Sequence, residues 1–379
     1  MNEKPYDFVF VMSRFPYTLY PSGGENIIFQ LCSRLKLDGY KVGIIVIKDH
    51  SRYLYSIKKD PKILSVSFSK HPQIRKLIFN TTFNKLFRAI LRKANKIDYN
   101  FKILKGVDIN FIEKPNEIKF KIKRIIATAW GTADFTSEYV NSNSSTTGYY
   151  FIQNSEDEPS YSGELNKHAT ETYNLKNLKK IVINKGLYKR FEGDNPLLFN
   201  VGIDYNEFYY DGPKKNIIMF PLRIGESKGA VYILNAISRL YAEVKDYQFI
   251  AFGDYPPDKV PKYIEFHHKA TTSNLKKMFS ESKIFVLPSL VEGFSLTVLE
   301  AMAAKCAVIS TDCGGTNEYI IDKENALLTP IKDSISLEKS ILKLSKNEEL
   351  TKKLAENGQI TVKNYSYDNM YIQFIKLFF

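Results

Sequence analysis

The sequence predicts an α/β protein of two doubly wound domains, on three observations. Short apolar runs alternate with helix-length segments, the pattern expected when helices cross between parallel strands. The alternation comes in two series, broken near "FEGDNPLLFNVGID" (191–204). At 379 residues and 44% hydrophobic, the chain is long enough to bury two cores.

The first series runs through "DFVFVMS" (7–13), "YKVGIIVIK" (40–48), "ILSVSF" (63–68), "RIIATAW" (124–130), "GYYFIQ" (148–153) and "KIVINK" (180–185). An amphipathic helix from about Glu25 to Leu37 joins its first two strands. The second series is "KNIIMFPL" (215–222), "YQFIAFG" (247–253), "IEFHH" (264–268), "KIFVLPS" (283–289) and "KCAVIST" (305–311). Domains are therefore expected at 1–192 and 193–360. They are followed at 361–379 by an aromatic amphipathic helix with Tyr367, Tyr371, Phe374, Ile375 and Phe378 near one side. No apolar span reaches the length of a transmembrane helix. The opening "MNEKPYDFVFVMSRF" reads as a first strand rather than a signal peptide. Cys32, Cys306 and Cys313 lack ligand spacing, which predicts a reducing, cytoplasmic setting and no zinc site.

Ligands of doubly wound folds bind at the carboxyl ends of strands, so the loops that start helices are where chemistry is expected. In "SLVEGFSLTVLEAMA" (289–303), Glu292 lies in a loop and Glu300 on the helix it leads into. The helical pattern places Leu299, Met302, Ala303 and Cys306 on one face. Between the two acids, Gly293, Phe294, Ser295 and Leu296 offer free backbone N–H groups and the positive end of a helix dipole, which suits a phosphate. Acids on both flanks of a phosphate can accept hydrogen bonds from hydroxyls on either side. Taken singly, each glutamate also fits an ordinary solvated acid.

Glu292 to Glu300 resembles the E-x7-E motif of the family 4 glycosyltransferases, and "EAMAAKCAVISTDCGGTNEYI" resembles the family's segment downstream of that motif. The resemblance implies a GT-B fold, in which two Rossmann-like domains face each other across a cleft and the last helix crosses back onto the first. It implies an acceptor-side first domain and a nucleotide-sugar-binding second domain. Glu292 would hold the donor sugar, Glu300 the ribose, and the intervening amides the diphosphate. "PSGGENI" resembles the family's GG-E element at Gly23, Gly24 and Glu25, which lies over the donor phosphates. "RIGESKG" resembles its R-x4-KG element, giving Arg223 and Lys228 as cations for the departing diphosphate. Glu318, in "CGGTNEY", reads instead as a structural helix-start acid. The family transfers sugars with retention of configuration and without a metal or other cofactor. A UDP-, GDP- or dTDP-sugar donor and a glycan or lipid-linked acceptor are therefore expected, in cell-surface polysaccharide synthesis.

Two stretches depart from the family pattern. Many members carry a histidine after a central strand of the first domain, where "GYYFIQNSEDEPSY" has Gln153 and Asn154. Asn154 or Asp157 is then expected to contact a sugar instead. "YFIQNSEDEP" and "IIATAWGTAD" look like the rhamnan-synthesis branch, whose donor is dTDP-rhamnose. In "AAKCAV", Lys305 and Ala307 stand where the family usually has Gly and Pro. A left-handed backbone at Lys305 would cost under about 1 kcal/mol.

Residues 70–124 carry fifteen Lys and Arg against four Asp and Glu, a surplus of eleven in a chain of net charge +13. Within them, "FNKLFRAILRKANK" (83–96) has Phe83, Leu86, Phe87, Ile90, Leu91 and Ala94 on one helical face and Lys85, Arg88, Arg92 and Lys96 opposite. This is either a core helix with a solvated face or a basic surface for anionic lipid, peripheral on the inner membrane face. Nucleic acid is not expected, since no recognised module accompanies the charge. "PSGGENI" lacks the dehydrogenase fingerprint, and "EDE" is no Asp-x-Asp metal motif in this setting. A nucleotide-sugar epimerase and a non-catalytic partner subunit remain as alternatives.

Overall fold

The computed structural model describes residues 4–13, 22–47, 103–155 and 164–379. Two compact units are present: Met1–Ile152 with Glu156–Lys179, and Gln153–Ser155 with Lys180–Phe379. The strands are β1 (Phe8–Met12), β2 (Val42–Ile47), β3 (Asp108–Ile112), β4 (Arg124–Ala127), β5 (Thr147–Ile152), β6 (Leu178–Val182), β7 (Leu197–Leu198), β8 (Lys215–Leu222), β9 (Gln248–Gly253), β10 (Ile264–His268), β11 (Ser282–Leu287), β12 (Ala307–Thr311) and β13 (Leu327–Thr329). Between them lie α1 (Gly23–Leu37), α2 (Trp130–Asn141), α3 (Glu164–Thr172), α4 (Lys185–Arg190), α5 (Tyr205–Phe208), α6 (Ala230–Leu240), α7 (Thr272–Glu281) and α8 (Leu296–Ala303). α9 (Ser334–Lys346), α10 (Glu348–Val362) and α11 (Tyr367–Lys376) end the chain.

Among the described residues the strands form two sheets, of order β3-β2-β1-β4-β5-β6-β7 and β10-β9-β8-β11-β12-β13. Chain order reverses beside β1 in one sheet and beside β8 in the other, the switch points at which doubly wound sheets bind ligands. The expected fold class is thus present. The expected strand 63–68 and helix 83–96 lie outside the described residues. The sequence reading missed β3, β7 and β13, all short and all at or next to a sheet edge. Burial explains this: β3 has only Ile112 fully buried, whereas β1 and β2 are buried at every position. No helix of the described residues is long and apolar enough to cross a membrane.

In the second unit, α6 packs Ile233, Ala236, Ile237 and Leu240 onto a core that includes Ile218 and Phe220 of β8 and Val286 of β11. α8 stops at Ala303 because Lys305 takes a left-handed backbone, φ 62°, as its glycine-like position implied. Cys306 consequently leaves the helical face predicted for it and heads into β12. The Lys305 ammonium sits 2.5 Å from Asp211, which raises its pKa.

The linker before α5 runs against the segment that opens α11. Ile203 N–H donates to the Tyr365 carbonyl and Tyr367 N–H to the Ile203 carbonyl, both at 2.9 Å. Phe374 meets Phe199 edge-on at 5.3 Å, and the Gln373 side chain accepts from Asn200 N–H. Gly202 lies inside this ladder, where an added Cβ would stand 2.5 Å from the Tyr365 carbonyl oxygen and 2.6 Å from that of Ser366. Gly202→Ala must therefore wedge the two segments apart, at about 1–3 kcal/mol. Thermal melts should show the second unit losing several degrees, and an unchanged melting curve would contradict this packing.

Candidate functional site

The loop from Pro288 to Ser295 joins β11 to α8. Its last residue, Ser295, is the N-cap of α8 but has left-handed angles (φ 60°, ψ 76°) and makes no side-chain cap. A serine held there is strained relative to glycine. The turn leaves the N–H groups of Phe294, Ser295 and Leu296 with no acceptor among the described residues. Three successive free amides at a helix start form a concavity suited to an anion.

Two acids flank these amides in the chain, and each has a cation acting on it. Lys228, at the end of the 3-10 turn Glu226–Lys228, places Nζ 3.0 Å from Glu292 Oε1. Ser289 Oγ donates to the same oxygen at 2.7 Å. The side-chain carboxylate of Glu300, on α8, accepts no hydrogen bond among the described residues. Its carboxyl is sunk into the protein although the residue keeps partial exposure. Burial pushes its pKa up to about 7, with the Arg223 charge opposing the rise and the Glu207 charge adding to it.

Backbone and aromatic contacts hold the loop. Glu292 N–H donates to the Cys313 carbonyl and Gly315 N–H to the Glu292 carbonyl, both at 3.0 Å. The Tyr319 hydroxyl donates to the carbonyls of Phe294 (2.8 Å) and Ser295 (2.9 Å), and burial raises its pKa well above normal, keeping the donor proton in place. Tyr365 packs on Phe294 and Tyr319, and Asn184 Nδ2 donates to the Gly293 carbonyl at 2.6 Å. An added Cβ at Gly293 would meet the Gln153 carbonyl oxygen at 2.2 Å, and one at Gly229 (φ +68°) the Pro288 carbonyl oxygen at 1.9 Å.

The structure thus gathers Arg223, Lys228, Glu292, Gly293, Phe294, Ser295, Leu296 and Glu300 around the loops after β8 and β11. Asn154 joins them through its backbone: its Cα would lie 3.5 Å from a Cβ at Gly293. Asp157 lies outside the described residues. Gly23 and Gly24 belong to the first unit, where they open α1 behind the N-cap Ser22. Glu25 closes a capping box there, accepting Ser22 N–H at 2.7 Å. Neither glycine has positive φ. Glu318 ends a 3-10 turn and accepts Lys185 N–H at 2.5 Å, consistent with a structural acid. Sequence reasoning missed Ser289, Tyr319 and Asn184. Ser289 and Tyr319 stand within the quoted motifs, but nothing in their spacing distinguishes a hydroxyl that orients a carboxylate or a loop. Asn184 lies over a hundred positions from Gly293 and left no local signal.

Residues 210–361 match the family model described as glycosyl transferases group 1. That segment is similar to the family's domain and covers less than half of the chain. An uncharacterized glycosyltransferase of Methanocaldococcus jannaschii is 34% identical to the chain over 210 residues, 52% of each, so the match spans about half of that relative's length. The N,N'-diacetylbacillosaminyl-diphospho-undecaprenol alpha-1,3-N-acetylgalactosaminyltransferase of Campylobacter jejuni is 24% identical over 315 residues, 77% of this chain and 73% of the relative. The crystal structure of Anabaena HepE in complex with UDP-glucose shares the fold, with a TM-score of 0.69 over 98% of both chains at 13% identity. The fold is GT-B, as the motifs implied. Within the matched segment, the E-x7-E pair and the R-x4-KG cations lie on the loops and helix around one helix start without a side-chain cap.

Glu300 gives a pH signature independent of turnover. Below about pH 4.5, its ordinary value, the carboxyl is protonated in folded and unfolded chains alike and contributes no difference. As pH rises toward 7 the unfolded chain gives up this proton first, so the buried acid progressively destabilises the fold. Glu300→Gln removes that loss. Its melting temperature relative to the unaltered chain should climb by several degrees between pH 5 and pH 8, whereas a constant offset would show that Glu300 titrates normally.

Proposed function

We propose that the chain is a glycosyltransferase that moves a hexosyl or rhamnosyl group from a nucleoside-diphosphate donor to a glycan or lipid-linked acceptor. Transfer proceeds with retention of configuration and without a metal. The observation that carries this reading is the row of three free amides at Phe294, Ser295 and Leu296, bordered by Lys228 and Arg223 and flanked by Glu292 and Glu300. A diphosphate supplies the charge those amides and cations match, and rings on its two sides supply hydroxyls for the two acids.

The chemistry follows from where charge develops. As the bond from sugar to phosphate breaks, negative charge grows on the diphosphate, and fixed N–H groups and cations beside it lower the barrier. Lys228, which contacts Glu292, supplies a cation to that group. Glu292 accepts from a sugar hydroxyl, and Glu300, once ionised, from the ribose. The departing diphosphate takes the acceptor's proton on the same face, so no protein base is required. Asn154, beside Gly293, and Asp157 are assigned to sugar contact, and Gly23 and Gly24 of the first unit to the donor side.

The Campylobacter relative is named for an undecaprenol-linked acceptor. We carry over only the class, a lipid-linked glycan, which fits the basic surplus of residues 70–124 and a peripheral place on the inner membrane face in polysaccharide synthesis. An epimerase would use similar donor contacts but would need no acceptor, so acceptor-dependent release of nucleoside diphosphate separates the two.

Glu292→Gln keeps the shape and removes the charge. In assays with a panel of UDP-, GDP- and dTDP-sugars it should cut transfer by about 10²-fold or more, the scale of a lost transition-state contact. Near-normal turnover in this variant would overturn the assignment.

A further inference from the structure

We propose that Ser289 is a positioning residue that commits one oxygen of Glu292 to the protein and leaves the other for the donor sugar. This rests on Glu292 being the donor-sugar acid and adds a residue to that role.

Both protein donors to Glu292 converge on Oε1, Ser289 Oγ at 2.7 Å and Lys228 Nζ at 3.0 Å. Oε2 accepts no hydrogen bond among the described residues. The Glu292 side chain keeps 12% exposure. The two oxygens are therefore inequivalent before any ligand arrives.

The two donors differ in stiffness. The Lys228 side chain is 27% exposed, and its ammonium sits at the end of a flexible four-carbon stem. Ser289 is 2% exposed and its side chain has one short rotor. Its own carbonyl is gripped by the hydroxyl of Thr311, a residue 1% exposed at the end of β12. Glu292 is fixed at its backbone by Cys313 and Gly315, so its remaining freedom is in the side chain. When Lys228 turns to a diphosphate, Ser289 is the donor that stays and keeps Oε2 aimed outward. Small misplacements of a group that acts in the transition state are costly in rate, which assigns the effect of Ser289 to kcat.

The test compares Ser289→Ala and Ser289→Cys with the unaltered chain and with Glu292→Gln, measuring kcat, donor KM and melting temperature for each. Cysteine is slightly larger than serine, so it leaves no cavity, but it donates weakly. Both Ser289 variants should lose kcat by roughly tenfold or more with donor KM changed less than about twofold. Melting temperatures should stay close to that of the unaltered chain. A cysteine variant that retains full kcat while alanine loses it would mean that Ser289 only fills space, and the proposal falls. It falls equally if Glu292→Gln is inactive while both Ser289 variants turn over normally. If Glu292→Gln itself turns over normally, the donor-sugar reading has failed first and the proposal goes with it.

Discussion

The site depends on the close approach of three loops, those after β8, β11 and β12. Leu290 N–H donates to the Ser227 carbonyl at 2.7 Å, tying the lysine turn to the glutamate loop, and Glu292 exchanges backbone bonds with Cys313 and Gly315 of the third loop. Glycines stand where these backbones nearly touch. A Cβ at Gly229 would fall 1.9 Å from the Pro288 carbonyl oxygen and one at Gly315 2.4 Å from that of Glu292. No side chain fits at such distances. The spacing of the R-x4-KG and E-x7-E elements to their glycines is therefore a packing requirement as much as a chemical one.

That interlock settles the electrostatics. Lys228 and Glu292 neutralise one another, while Arg223 acts at longer range on a Glu300 whose burial holds it near neutrality. Apart from these charges, the row of free amides is the strongest anion-attracting feature of the loop, and it requires no rearrangement to form. The strain of a left-handed serine, roughly 1–2 kcal/mol for a non-glycine residue, is retained where it turns those amides outward. Tyr319 contributes by occupying the carbonyls of Phe294 and Ser295, which would otherwise present negative charge nearby.

Much of this was legible in the sequence, for physical reasons that also mark its limits. β8 has the bounds expected from "KNIIMFPL", because a buried parallel strand reads as a continuous apolar run, and β10 has those expected from "IEFHH" although only Ile264 in it is buried. β3 and β13 escaped because edge strands are short or half-buried. The site acids and cations were legible as motif, and the left-handed Lys305 as a glycine position filled by another residue. Ser289, Tyr319 and Asn184 were not. Their roles lie in hydrogen bonds set by the tertiary path of the chain, and a serine beside a proline or an asparagine after a strand has the same local signature whether or not it orients a loop. The glycine pair at 23–24 opens α1 behind a capping box with ordinary backbone angles.

The central claim is that the amides before α8, with the cation loop after β8, bind a nucleoside diphosphate. Hydrogen–deuterium exchange of the full chain, with and without saturating uridine, guanosine or thymidine diphosphate, tests it most directly. Slowed exchange concentrated at residues 223–229 and 293–297 for a diphosphate that binds is the predicted result. Binding accompanied by protection confined to other segments would contradict the account.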